Sequence, residues 1–392
     1  MSARRRGDVD IEGWTAPNYE AVREVFAANF TREDDAREAG AAVAAFQDGR
    51  CVVDLWGGMA DPAAARPWTR DTLANIWSTT KGVTALAAAK LVDAGHISYG
   101  TRVADVWPEF ARNGKADVTL AHLLSHQAGL PGFAEPTRLE DQCDWEGCCD
   151  KLARQAPAWA PGTATSYHAA TFGWLVGEVV RRVSGSSFGA FVRREIARPL
   201  KADVHIGLSA TCEAQVARML APRGAPPPMD AAPAALMALE NPVQDPEAPN
   251  ARAWRAAEMP ALNGQASALG LARLYASVGS ENGLDGRRTV SAAAMEAMTR
   301  PATTGRRRDM LMGLEDSWGM GFMLNPLQIY GPGARAFGHS GWGGSFACAD
   351  PELGLSIGYV CNQMGSALLA DPRSTALSAA VTACAARART AR

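Results

Sequence analysis

"TLANIWSTTKGVTALAAAKLV", residues 72–92, runs from an apolar strand-like stretch into an alanine-rich helical one, with Trp77-Ser78-Thr79-Thr80-Lys81 at the junction. Val83, Leu86, Ala87 and Leu91 recur at helical spacing, which predicts a helix over about 79–94 with those residues on its buried face. Ser78 then opens the helix, and Lys81, three residues on, projects beside it. A serine hydroxyl is a poor nucleophile until a neighbour takes its proton. A lysine can do so only when burial or nearby positive charge lowers its pKa. Free N–H groups at a helix start, that of Ser78 included, can donate to a developing oxyanion. Serine is also a favoured N-cap, so the pair decides nothing without partners.

Two other stretches offer partners. "SYHAATFGW" (166–174) places Tyr167, flanked by Ser166 and His168, in a loop before a strong helical pattern. The bland alternative is a half-buried structural tyrosine. "FGHSGWGGS" (337–345) is a strand-like segment broken by glycines, where a ligand can approach the backbone closely. His339 and Ser340 offer polar contacts there, and the N–H groups that follow can point at an oxyanion. A glycine-rich bulge is the alternative.

The rest of the chain reads as strands at both ends and helices between. Residues 17–30 form a helical pattern. "AGAAVAAF" and "CVVDLWGG" flank "QDGR", with Asp48-Gly49 as a hairpin turn. "TLANIW" is a third short run. From about 100 to 310 helices dominate: "TLAHLLSH", "ATFGWLVGEVVRRVSG", "SFGAFVRREIARPL" stopped by Pro199, and "QASALGLARLYASVG". Residues 222–250 are rich in proline, alanine and aspartate, the composition of a surface loop or a lid over a cleft. "SWGMGFML" is a late strand run. "AFGHSGWGGSFACAD" and "LGLSIGYVCN" read as a hairpin around "PE", and 372–388 as a terminal helix. The fold class is α/β of the α+β type. A central antiparallel sheet is built from residues 1–95 and 310–392 and flanked by the terminal helices. A mainly helical domain, 96–309, is inserted, and the active site lies in the cleft between the two.

Composition excludes several classes. With 39 Lys+Arg against 41 Asp+Glu and a net charge of −2, there is no electrostatic footprint for nucleic acid. No run approaches the ~18 apolar residues needed to span a bilayer. The basic start, Arg4–Arg6, lacks the apolar core of a secretory signal. The eight cysteines read as reduced, mostly buried thiols. Cys143, Cys148 and Cys149 lack metal-pair spacing, so no metal is expected. These features predict a cytoplasmic protein without membrane or nucleic-acid partners; oligomeric state is not legible. Gly185-Ser186-Ser187-Phe188-Gly189 matches G-x-S-x-G, but a helix precedes it where a nucleophile elbow needs a strand.

Ser-x-x-Lys, a loop tyrosine and a His-Ser-Gly strand, in that order, resemble the serine β-lactamase and penicillin-binding-protein superfamily. Within it the chain is most similar to class C β-lactamases, D-alanyl-D-alanine carboxypeptidases and above all family VIII carboxylesterases. "LLSHQAGLP" resembles that group's "LLTHTSGLP", and "SGSSFGAFVRREIARPL" its helix pair after the tyrosine. The likeness spans about 40–365 and implies the β-lactamase-like fold. It implies Ser78 as the acylated serine, Lys81 and Tyr167 as its proton-handling partners, and the N–H groups of Ser78 and Trp342 as the oxyanion hole. His339, Ser340 and Gly341 stand as the third motif, contacting substrate with His168. Reading Trp342-Gly343-Gly344 as that motif instead moves the second donor to Ser345. Two departures stand out: Tyr167-His168-Ala169 lacks the usual asparagine, and histidine replaces the lysine that holds a substrate carboxylate. The resemblance therefore implies a carboxylesterase acting on small short-chain esters through an acyl-serine, with no cofactor. β-Lactamase, D-alanyl peptidase or acyltransferase activity are the alternatives.

Overall fold

A computed structural model describes residues 9–229, 231–303 and 307–390, so Arg4–Arg6 lie outside the described residues. The main sheet contains β1 (Ile11–Thr15), β2 (Gly40–Gln47), β3 (Arg50–Asp61), β4 (Met323–Leu324), β5 (Phe337–Ser340), β6 (Phe346–Asp350) and β7 (Leu355–Cys361). Their spatial order is β1-β3-β2-β7-β6-β5-β4, with Arg66–Pro67 on the β3 edge. Every pairing in it is antiparallel. β7 pairs with β2, Tyr359 opposite Val43, so the two ends of the chain share one sheet. Asp48 and Gly49 both have positive φ (49° and 76°), the geometry whose twist suits a two-residue hairpin.

Strand alternation sorts side chains to two cores. Ala41, Val43 and Ala45 face helices α1 (Glu20–Phe30) and α5 (Pro372–Thr390), meeting Phe26, Leu377 and Val381. Ala42, Ala44 and Phe46 face inward, onto a core shared with α2 (Thr80–Asp93), α3 (Phe172–Ser184) and α4 (Ala268–Gly279). At Gly358 a Cβ would collide with the Ala268 carbonyl, so glycine there lets α4 sit directly on the sheet. Although α4 falls within 96–309, it packs against the sheet from this inner side.

Several local expectations need correction. α2 is buried from Thr80 to Ala89 on every side, not along one stripe, because its alanines, glycine and threonines admit neighbours all round. "TLANIW" contributes only Ala74–Asn75, and those residues pair with Gln265–Ala266 in a separate three-stranded sheet completed by Val204–His205. "SWGMGFML" folds back on itself: Trp318 bridges Met323, with Gly321 at φ 85° between them, leaving a two-residue strand. Pro199 does not stop its helix. A π-helical stretch, Arg193–Ala197, precedes it, and the helix ends at Lys201 with φ 50°. The proline-rich 222–250 segment holds a helix, Pro233–Glu240, whose Met237 carbonyl sits against Gly132.

Candidate active site

Ser78 stands where the small sheet turns into α2. Trp77 takes φ 44°, a left-handed conformation that is a true outlier for an aromatic residue. It is held by ring contacts with Trp254 (centroids 5.6 Å apart) and Trp342 (5.1 Å). The Thr79 N–H closes the turn on the Ile76 carbonyl at 3.0 Å. The backbone N–H groups of Ser78 and Trp342 bond to no acceptor among the described residues.

The third-motif segment is a strand, then a turn. β5 ends at Ser340, and Gly341 to Ser345 form a loop closed by Gly341 N–H to the Ser345 carbonyl at 2.7 Å. Gly341 presses on the Ser78 turn: a Cβ there would strike the Ile76 carbonyl, the Ser345 hydroxyl and Thr79. Ser345 Oγ donates to the Ile76 carbonyl at 2.9 Å, tying the two loops together. Gly344 points elsewhere, towards Asp371 and Arg373. The close approach thus falls in the His339-Ser340-Gly341 register.

Lys81 is fully buried. Its amine donates to the carbonyls of Ala169 (2.6 Å) and Ala261 (3.1 Å) and lies 3.0 Å from Ser78 Oγ. Burial lowers its pKa well below the ordinary 10.5, with no carboxylate to oppose the effect. Nζ also sits 4.8 Å from the centre of the Tyr167 ring. Tyr167 is buried among Trp318, His126 and His339. Burial raises its phenol pKa, and a hydrogen bond with Ser78 works the other way. The structure therefore brings Ser78, Lys81 and Tyr167 together.

His339 is buried beside them. Its Nδ1 meets the Ser340 carbonyl at 2.9 Å, and Nε2 has no partner. Burial pushes its pKa down to about 3, so it is neutral and supplies no cation. Ser340 points the opposite way along the strand, its hydroxyl 3.1 Å from that of Tyr330. His168 is fully buried, with Nε2 accepting from Leu130 N–H (3.1 Å) and Nδ1 meeting the Ser166 carbonyl (2.6 Å). Its Nδ1 serves the loop that carries Tyr167 and its Nε2 ties that loop to the one holding Leu130, so neither ring nitrogen is left for the opening. Ser187 caps the following helix, accepting from Ala190 N–H (3.4 Å) and donating to Glu258 (2.8 Å). That geometry removes the elbow reading.

Sequence reasoning missed the groups behind the site. His126, at φ 61°, puts its ring 5.0 Å from that of Tyr167. Asp309 accepts from the Tyr167 N–H at 3.3 Å. Arg373, at the start of α5, donates to the Gly343 carbonyl at 2.7 Å and pairs with Glu38 (3.1 Å) and Asp371 (2.7 Å). His126 lies within the LLSHQAGLP segment, whereas Asp309 and Arg373 lie in no motif, and only the fold brings the three behind the site. Among the described residues no group of His, Cys, Asp or Glu is arranged to hold a metal. All eight cysteines are free.

The beta-lactamase family profile matches residues 26–381. The chain belongs to the beta-lactamase family. Among beta-lactamase family members it is 34% identical to the esterase/beta-lactamase LipL of Mycobacterium tuberculosis, over 92% of this chain and 84% of that protein. The crystal structure of a family VIII carboxylesterase superposes with a TM-score of 0.89 at 44% identity, covering 96% of this chain and 100% of that one. A penicillin-binding protein homologue from Caulobacter crescentus gives the same TM-score, 0.89, at 44% identity, with 96% and 100% coverage.

Proposed function

We propose that this member of the beta-lactamase family is a serine carboxylesterase of the family VIII type, hydrolysing small neutral esters through an acyl-Ser78 intermediate. The observation that carries this is Lys81. Its two carbonyl acceptors take two N–H groups, and the lone pair of the neutral amine then faces Ser78 Oγ at 3.0 Å. Burial opposes both an ammonium at Lys81 and a phenolate at Tyr167, so the resting pair is amine and phenol.

Ser78 Oγ gives its proton to Lys81 as it attacks the ester carbonyl. The oxyanion is held by the Ser78 and Trp342 N–H groups. As the C–O bond breaks, Tyr167 protonates the departing alkoxide, and Lys81 returns a proton to Tyr167. Water repeats the attack on the acyl-enzyme, its proton ending on Ser78 as the carboxylic acid leaves. The two groups titrate as a coupled pair. No step asks for a cofactor.

Neutral His339 offers nothing to a carboxylate, which favours uncharged esters over penicillins and D-alanyl peptides. Trp342 follows Gly341 directly, its ring resting on Trp77 (centroids 5.1 Å apart), and its bulk beside that glycine favours short acyl groups. The cleft lies between the sheet part and the helical part of the chain, with α4 belonging to the sheet side. The free cysteines fit a reducing compartment, so we place the enzyme in the cytoplasm. No described helix is long and apolar enough to cross a membrane.

The test is intact-protein mass spectrometry after brief exposure to p-nitrophenyl butyrate and, separately, a penicillin, with turnover of each measured. A butyryl adduct on the Ser78 peptide with rapid turnover, and slow or absent penicilloyl release, is expected. Ser78→Ala should lower ester turnover by a factor on the order of 10⁴ or more while leaving the fold intact. Full activity in that variant sinks the proposal. Faster turnover of the penicillin than of the ester would make the protein a β-lactamase instead.

A further inference from the structure

Behind Tyr167 lies a buried carboxylate that the proton transfers above do not use. Asp309 is 1% exposed. Its Oδ1 accepts from the backbone N–H groups of Tyr167 (3.3 Å), Leu311 (2.9 Å) and Met312 (2.8 Å). Its Oδ2 accepts the indole N–H of Trp318 at 2.9 Å. All four neighbours are donors, which suits a carboxylate and leaves no acceptor for a carboxylic acid proton. The Trp318 ring lies face to face with the Tyr167 ring, centroids 5.3 Å apart and planes within 5°. The His126 ring closes on both, 4.3 Å from Trp318 and 5.0 Å from Tyr167. The backbone reinforces this contact, with Met310 N–H donating to the Thr165 carbonyl at 2.9 Å. One side chain therefore holds both the main chain of Tyr167 and the aromatic plate against its ring.

We propose that Asp309, acting through Trp318, is the positioning residue that fixes the Tyr167 ring and holds its hydroxyl in the protonated form. This rests on the reading that Tyr167 carries the proton to the leaving alcohol. The titratable groups around the phenol are Lys81, His126, His168, His339, Tyr330 and Asp309. Burial keeps His126, His168 and His339 neutral and works against ionisation of Lys81 and Tyr330. Burial raises the Asp309 carboxyl as well, but its four donors act against that and hold it as the carboxylate, whose negative charge opposes phenolate formation.

The measurement is the ionisation of Tyr167, followed by ultraviolet difference titration against Tyr167→Phe, together with kcat and KM for p-nitrophenyl butyrate. Asp309→Asn removes the charge and sets an amide against the indole N–H. It should lower kcat by about 10-fold or more, change KM by less than about 3-fold, and move the phenol titration to lower pH. Trp318→Phe keeps a ring but leaves the carboxylate less neutralised, so the titration should move to higher pH, again with lower kcat. Opposite shifts support the proposal. A loss of thermal stability with the titration unmoved in both variants would reduce Asp309 to a structural residue and overturn it. If Asp309→Asn does not fold, Trp318→Phe decides alone, and an unmoved titration there overturns the proposal. Near-normal turnover in Tyr167→Phe would remove Tyr167 from the mechanism, and with it the catalytic role of Asp309. An inactive Tyr167→Phe beside an unaffected Asp309→Asn would remove the positioning role alone.

Discussion

Lys81 shows how burial makes a base of a lysine. Its ordinary pKa of 10.5 would leave it an ammonium at neutral pH, and ammonium cannot take a proton from Ser78. Its depressed pKa sets the sign of the pH dependence. kcat/KM should rise with pH on the acid side as Lys81 loses its proton, with a midpoint below 10.5, and that limb should vanish from the residual rate of Lys81→Ala. An unchanged acid limb in the variant would assign it to another group. The same shift acts on stability. The unfolded chain holds this proton more tightly, so the contribution present above 10.5 is lost as pH falls through the lower folded value. Ser78 and Lys81 were legible because three-residue spacing at a helix start needs no tertiary information. The protonation state was not, since it depends on the carbonyls of Ala169 and Ala261, far along the chain.

At the scale of elements, the turn carrying Trp342 is pinned from behind by α5. Arg373 is fully buried and donates to the carbonyls of Gly343 (2.7 Å) and Gln363 (2.8 Å). Glu38, which also takes the Tyr359 hydroxyl, and Asp371 compensate its charge. Arg373→Met should therefore destabilise the protein by about 3–5 kcal/mol, because Glu38 and Asp371 stay buried without their cation. It should also lower esterase kcat in the fraction that remains folded, as the turn loosens. Urea unfolding and active-site-normalised kinetics check both, and a stable, fully active variant would show that the turn holds itself. The terminal helix itself was legible, since its residues favour helix. Its catalytic bearing was not, because Arg373 and Gly343 are 30 residues apart and meet only through the fold.

Across the whole molecule, the sheet strands and the helices between them are tied together by backbone pairing and direct packing. Ala74–Asn75, from the sheet part, pair with Gln265–Ala266, which also pair with Val204–His205. α4, from between the helices, lies on the main sheet, with Ser356 Oγ donating to the Ala272 carbonyl at 2.9 Å. Urea unfolding should therefore show one transition in which ellipticity and ester turnover are lost together. Loss of turnover at clearly lower urea than loss of ellipticity would mean that the parts separate first. The boundary drawn at 310 followed the return of strand patterning. It missed α4, because an amphipathic helix reads the same whether its partner is a sheet or another helix.

The sequence by itself determined the antiparallel sheet shared by both ends, the Asp48-Gly49 hairpin, the helix behind Ser78, and the motif order that carries the family likeness. The elements follow from periods of two and 3.6 residues and from local turn chemistry, which act within a few residues, whereas the likeness rests on resemblance to a known family. Tertiary structure alone decided which polar groups face one another. It seated Lys81 between two carbonyls and turned Ser340 away from His339. It tied His168 to the Leu130 loop and set Asp309 and Trp318 behind Tyr167. These are contacts between segments remote in sequence, made where water is excluded. There, charge and hydrogen bonding depend on surroundings that no local pattern records.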